Sequence, residues 1–250
     1  MEWYLYLATA AIGVVAGFLN TLAGGGSALT LPFLIFLGLP ATTANGTNRI
    51  SIIIQSFTAV AAFRHKKVFE LKEGMLSGTS SLAGALAGAL VAVSLNELLM
   101  RRIIGAVLIL MLLLVVFKPE IWIRERAGKT HSRSAWLSFL IFLFIGFYGG
   151  VVQAGVGFFL LTGLVLFQGY DLMKANALKV LIVLLYTPIT LVIFIAHHQV
   201  DYGLGFLLAA GSSLGAWIGA KTAIKAGNQF IRWVLILALS LSALKLFNVI

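Results

Sequence analysis

The sequence predicts an all-α polytopic membrane protein of two inverted-topology repeats, each a glycine-broken helix or helical hairpin followed by three transmembrane helices. Three observations lead there. Of the 250 residues, 60% are apolar and 10% charged, against usual shares of roughly 45–50% and 25%, so the chain cannot build a water-soluble surface. The charges are clustered, leaving apolar runs about long enough to cross a bilayer. The two halves also align with each other at a single offset.

The apolar stretches run over about 3–37, 50–63, 75–95, 103–117, 135–167, 180–196, 203–220 and 233–247,. Two are too long for one crossing. A straight helix through 3–37 would reach about 52 Å, well beyond a hydrocarbon core of about 30 Å, and 135–167 has the same excess. Each holds a glycine cluster near its middle, Gly24-Gly25-Gly26 and Gly155-Val156-Gly157, where it is expected to break into two short helices.

The two clusters lie 131 residues apart, and the same offset pairs Asn45 with Asn176, Ser81 with Ser212, Gly84 with Gly215, Gly88 with Gly219 and Arg101 with Arg232. Shared polar residues at one offset argue for a duplication. The repeats are 1–118 and 132–250, joined by a basic cytoplasmic linker at 119–131. Segment Arg64 to Glu73 carries four bases and two acids, Lys118 to Arg133 five and two, and Lys221 to Arg232 three and none. All three are expected on the cytoplasmic side. That requires each broken segment to dip in and return or to make two short crossings. Either way each half makes an odd net number of crossings, and the repeats are opposite in orientation, a pattern of secondary transporters.

Composition also excludes other classes. The +10 net charge sits at the ends of apolar runs, where cytoplasmic anchoring accounts for it without nucleic acid. The chain has no cysteine, so disulfides and thiolate metal sites are ruled out. Its first segment lacks a basic n-region and is expected to stay in the protein. Paired carboxylates and histidine clusters are missing: His65, His197 and His198 lie at segment ends and His131 in the linker. No enzyme chemistry, metal or cofactor is expected.

The string Gly17-Phe18-Leu19-Asn20-Thr21-Leu22-Ala23-Gly24-Gly25-Gly26-Ser27, with Gly38-Leu39-Pro40, Ala44-Asn45-Gly46-Thr47-Asn48 and the basic Arg64-His65-Lys66-Lys67, resembles the first repeat of the sulfite exporter TauE/SafE family. Gly155-Val156-Gly157-Phe158-Phe159, Ala175-Asn176-Ala177 and Gly215-Ala216-Trp217-Ile218-Gly219-Ala220 resemble its second repeat. The resemblance covers nearly the whole chain and implies a multi-pass permease of the cell membrane for a small anion: sulfite, a sulfonate or a related organosulfur compound. Gln153 departs from the small apolar residues common at that place.

Candidate binding residues gather at the breaks and after them. Asn20, Thr21, Gly24, Gly25, Gly26 and Ser27 form the first cluster, Gln153, Gly155 and Gly157 the second. Unpaired backbone N–H groups at the start of a half-helix bind an anion without a buried charge; the rival reading is that the glycines only permit packing or a kink. Gly24–Gly26 lacks the lysine and the strand-helix context of a nucleotide loop. Asn45, Thr47, Asn48, Arg49, Gln55, Asn176 and Lys179 follow. Their amides and hydroxyls can replace the hydration of an oxyanion, and Arg49 or Lys179 can balance its charge. Against this, Asn45 can serve as a helix cap, and a base at a helix end commonly snorkels to the interface. The expected partners are a small anion and the lipid bilayer. Cargo, direction, proton or sodium coupling and oligomeric state stay open, and a passive anion channel is the rival to a carrier.

Overall fold

The computed structural model describes residues 3–69, 74–117 and 135–246. The linker 119–131 lies outside the described residues. The helices are α1 (Trp3–Leu22), α2 (Ser27–Phe36), α3 (Ala41–His65), α4 (Met75–Ser94), α5 (Glu97–Phe117), α6 (Ala135–Val151), α7 (Val156–Thr162), α8 (Leu172–Ala196) and α9 (Tyr202–Leu246). Alpha-7 runs on into a π-helical turn at Gly163–Phe167. Four helical stretches, Trp3–Leu22, Met75–Ser94, Leu172–Ala196 and Tyr202–Lys225, are long and apolar enough to cross a membrane.

The two overlong stretches break where the glycines stand, between α1 and α2 and between α6 and α7. Two boundaries differ from the sequence expectation. Helix α3 begins at Ala41 rather than near residue 50, because Pro40 starts a helix without needing an N–H partner and Glu97 supplies the missing cap. Its two carboxylate oxygens accept from Ala41 N (2.8 Å) and Thr42 N (3.3 Å), placing negative charge at the helix's positive end. Asn45, Thr47, Asn48 and Arg49 are therefore interior to the helix, and Asn45 is no cap. In the second half Asp171 does the same for α8 from within its own segment, accepting from Met173 N and Lys174 N at 3.0 Å.

The second difference is α9. The basic run Lys221 to Arg232, expected as a loop between two spans, is helical within a 45-residue helix. Lys, Ala, Gln and Arg favour helix, no proline interrupts the run, and Lys221 lays its ammonium 3.6 Å from the centroid of the Trp217 ring one turn back,.

Packing ties each half to the other. Helix α1 lies against α9 and α6 against α4, backbone to backbone through glycine. A Cβ at Gly17 would stand 2.1 Å from Ser212 O, at Gly215 1.9 Å from Val14 O, at Gly146 2.1 Å from Ser81 O and at Gly84 1.9 Å from Leu143 O. The glycine pairs at four-residue spacing thus serve close helix approach. In both pairs the contacts advance together along the chains (Ala10 with Gly211, Val14 with Gly215; Ser81 with Gly146, Ala85 with Gly150), so the partners run parallel. Alpha-3 follows α9 in parallel, through Thr47 with Asp201 and the shared hydroxyl bond of Ser51 and Ser212 at 2.7 Å. Alpha-4 follows α8 likewise, Gly74 meeting Leu178 and Leu181 and Gly78 meeting Leu185. Between α3 and α8 the direction reverses: Gly46 meets Phe194 and Arg49 meets Thr190.

The repeat offset is also refined. Gly17 and Gly146 meet Ser212 and Ser81 in the same way, so α1 and α6 correspond at 129 residues (146 less 17). At the left-handed glycines Gly38 (φ 96°) and Gly169 (φ 73°) the offset is 131. The left-handed Gly24 and Gly155 are likewise 131 apart, so the two extra residues are absorbed between Gly146 and Gly155.

Gly215→Val should force α1 and α9 apart at a cost of about 1–3 kcal/mol or more, lowering the folded yield in detergent-solubilised membranes. Gly105→Val, where a Cβ meets nothing within 4 Å, should leave the yield unchanged.

Candidate functional site

A backbone break inside an apolar chain must still satisfy its hydrogen-bonding groups. In the first break Ala23 N and Gly24 N donate back to Leu19 O (2.7 and 3.0 Å), Gly24 turns left-handed at φ 83°, and Gly26 N donates to Asn20 Oδ1 at 2.9 Å. The second break runs similarly. Val152 N donates to Tyr148 O at 2.8 Å, the Tyr148 hydroxyl donates to Ala154 O at 2.5 Å, and Gly155 adopts φ 72°. The breaks touch. A Cβ on Gly24 would lie 2.4 Å from the carbonyl carbon of Gly157, and one on Gly157 would lie 2.3 Å from Gly24 Cα.

Beside this contact is a partly open cavity of about 360 Å³, counted with the solvent space at its mouth. Asn20, Thr21, Gly24 and Ser27 line it from the first break, Ile52, Gln55 and Ser56 from α3, Gln153, Val156 and Gly157 from the second break, and Lys179, Val180 and Val183 from α8. Eight of the sequence-selected residues therefore meet there: Asn20, Thr21, Gly24, Ser27, Gln55, Gln153, Gly157 and Lys179. Gln55 Oε1 has no hydrogen-bond partner, and among the described residues the hydroxyls of Ser27 and Ser56 make no bond, so polar groups remain for a ligand. No carboxylate lines the cavity.

The remaining selected residues stand outside it. Gly25 and Gly26 complete the first turn of the break, and Gly155 forms the bend before α7. Asn45 donates from Nδ2 to Val151 O at 2.8 Å, Thr47 accepts from Asp201 N at 2.8 Å, and Asn48 Oδ1 accepts from the Thr30 hydroxyl at 2.7 Å. Asn176 accepts from Lys179 Nζ through Oδ1, while its Nδ2 is unpaired.

The two bases are buried, at 0% exposure for Arg49 and 1% for Lys179, so neither snorkels. Lys179 Nζ donates to Asn20 O (2.9 Å), Thr21 O (3.2 Å) and Asn176 Oδ1. Arg49 donates from Nη1 to Thr190 Oγ1 (2.7 Å) and Gln153 Oε1 (3.2 Å), and from Nη2 to Gly150 O (2.6 Å) and Gly149 O (3.4 Å). Its guanidinium also lies 4.5 Å from the centroid of the Phe194 ring,. Asn20 and Thr21 belong to the last turn of α1, Gly149 and Gly150 to the last turn of α6. Each base thus caps the carbonyl end of the broken helix from the opposite half, where the helix dipole favours a cation. Glu97 pairs with Arg101 at 3.6 Å, whereas every hydrogen-bond acceptor of the two buried bases is neutral.

This centre lies in a chain that matches one family profile. The profile described as sulfite exporter TauE/SafE covers residues 9–246. The chain belongs to that family. It is similar to a "probable membrane transporter protein ORF9" from a Sinorhizobium species, 29% identical over 93% of this chain and 88% of that protein. A "probable membrane transporter protein" of Haemophilus influenzae is 27% identical over 95% and 92%, and the "probable membrane transporter protein YfcA" of Escherichia coli K12 is 27% identical over 94% and 87%. No solved structure is significantly similar.

Sequence reasoning missed Ser56, Tyr186, Thr187 and Thr190. Gln153 Nε2 donates to the Tyr186 hydroxyl (3.0 Å) and to Thr187 Oγ1 (3.5 Å), so the amide is held at both ends. The signal was present: Tyr186, Thr187 and Thr190 surround Pro188 in an otherwise apolar stretch.

Removing Arg49 leaves the Gly149 and Gly150 carbonyls and Gln153 Oε1 buried and unpaired, at about 1–3 kcal/mol for each unsatisfied group. Arg49→Met should therefore lower the unfolding temperature of the detergent-solubilised protein by many degrees. Arg101→Met, which removes an exposed ion pair, should change stability by less than about 1 kcal/mol.

Proposed function

We propose that this protein is a secondary transporter of a small anion, sulfite, a sulfonate or a related organosulfur anion, in the cell membrane. The observation that carries the proposal is the cavity at the junction of the two broken helices. It has a buried lysine ammonium, several uncommitted hydroxyl and amide groups, and no carboxylate on its walls. A desolvated oxyanion needs that combination: one balancing positive charge and enough dipoles to replace water. The family's description as sulfite exporters supports the class of anion.

The two halves are inverted repeats in this reading. The helix directions support it: α1 runs with α9 and α3, α6 runs with α4 and α8, and α3 opposes α8. Corresponding helices of the two halves therefore point opposite ways. Two bodies result, α1 with α3 and α9, and α4 with α6 and α8, meeting along α3 and α8 around the cavity. Movement of one body against the other would expose the cavity to each side in turn. That arrangement favours a carrier over a passive pore, since the breaks are closed on one another at Gly24 and Gly157.

Proteoliposomes loaded with unlabelled sulfite should take up radiolabelled sulfite faster than empty ones, with saturable initial rates. Linear, non-saturating uptake with resolved unitary currents would instead indicate a channel. The orientation has its own test, because the chain contains no cysteine. Lys66→Cys and Lys225→Cys should be protected from an impermeant thiol reagent in intact cells, and His198→Cys should be labelled. Labelling of Lys225→Cys with protection of Lys66→Cys would contradict the inverted arrangement.

A further inference from the structure

The two buried bases look equivalent, since each caps the other half's first helix, yet their surroundings differ. Lys179 is on the cavity wall and Arg49 is not. Arg49 stands behind Gln153, whose Oε1 it holds, and it is enclosed by Thr190, Phe194 and the α6 carbonyls. A cavity ligand meets Gln153 before it meets Arg49. The three N–H donors of Lys179 are all in use, and every acceptor is neutral: Asn20 O, Thr21 O and Asn176 Oδ1.

An ionised acceptor forms a shorter and roughly twofold stronger bond to an ammonium than a neutral one. An oxyanion entering this cavity therefore competes successfully for a Lys179 donor. The donors most readily given up are those to Asn20 and Thr21, residues that line the same cavity, whereas Asn176 is on Lys179's own helix one turn back. The carbonyl end of α1 then loses its cap, three residues before the left-handed turn at Gly24.

Resting on the transporter reading above, we propose that Lys179 is a cargo-sensitive latch: the bound anion takes an ammonium donor from the last turn of α1 and frees the first break to move, while Arg49 keeps the last turn of α6 locked. Lys179 is the ligand in this scheme and Arg49 a positioning residue that fixes Gln153 and α6. The arginine fork suits fixed, multiply bonded positions, and the flexible lysine stem suits a point charge that changes partners.

The test uses the full chain in detergent micelles with sodium sulfite as probe and sodium chloride at equal ionic strength as control. Two quantities are followed: the unfolding temperature, and hydrogen exchange of the peptides spanning 17–30 and 146–159. With the unmutated protein, sulfite should raise the unfolding temperature by about 2–4 °C. It should speed exchange about fivefold in 17–30, the effect expected for one lost hydrogen bond, with no change in 146–159. Lys179→Met should exchange fast in 17–30 with or without sulfite and show no thermal shift. Arg49→Lys, which replaces the guanidinium fork with a single ammonium and so weakens the α6 cap, should start from a lower unfolding temperature but keep both responses to sulfite. If the unmutated protein is stabilised by sulfite and Lys179→Met responds equally, or if sulfite protects both peptides alike, the latch is overturned and the transporter reading survives. If sulfite neither stabilises the unmutated protein nor alters either peptide, the anion site falls and the latch with it.

Discussion

A helix that ends inside a membrane leaves carbonyl groups where no bulk water can receive them, and the rest of this structure depends on how those ends are met. Here the donors are two buried bases exchanged between the halves: Lys179 reaches from the second half to the last turn of α1, and Arg49 from the first half to the last turn of α6. Neither half could end its own first helix this way, because each base is carried by the other half. Burying a charge beside a helix's negative end is tolerable where burying it in hydrocarbon is not. The acceptors around both bases are dipoles and not acids, the feature on which the proposed anion site rests.

The glycines follow from the same constraint. Short backbone breaks can meet at the centre only if the helices carrying them approach closely, and α1 with α9 and α6 with α4 do so with backbone oxygen where a Cβ would sit. These parallel contacts leave no space for side chains between the paired helices. Hydrogen bonds between the two bodies concentrate at Asn45, Arg49 and Lys179, whereas close backbone packing joins the helices within each body. The proposed alternation between two packings would turn on the polar contacts, since those can exchange partners while the close backbone contacts cannot.

Much of this was legible in the sequence. Excess length of 3–37 and 135–167 against the bilayer located both breaks, and the repeat put the polar candidates in two matching sets. Eight of sixteen candidates line the cavity, six from the breaks and their flanks and two, Gln55 and Lys179, from α3 and α8. Asn45 and Asn176 share a repeat position but not a partner, Val151 O for one and Lys179 for the other, because a matching position fixes the helix face but not which partner the side chain finds. The polar first turns of α3 hid its true start: Ala41 to Arg49 reads as a loop until Glu97, 56 residues from Ala41, is known to cap it. The gapless offset of 131 likewise hid a shift of two residues in α1, which only packing registers reveal.

A mismatch of one residue between α3 and α8 accounts for the inequality of the two bases. At the offset of 131 that holds for α3 and α8, Lys179 corresponds to Asn48 and Arg49 to Val180. One residue along a helix is a rotation of about 100°, so the bases cannot project from equivalent faces. Lys179 projects onto the cavity wall, and Val180 lies beside it there. Arg49 turns away and reaches the α6 carbonyls from behind Gln153, for which the longer, five-donor guanidinium is suited. Asn48 makes its bond to Thr30 on α2 instead. A strictly symmetric pair would have put two cations on one small cavity with no acid between them, at a large electrostatic cost. Moving one base by a single residue keeps both helix ends capped and leaves a single cation on the cavity wall.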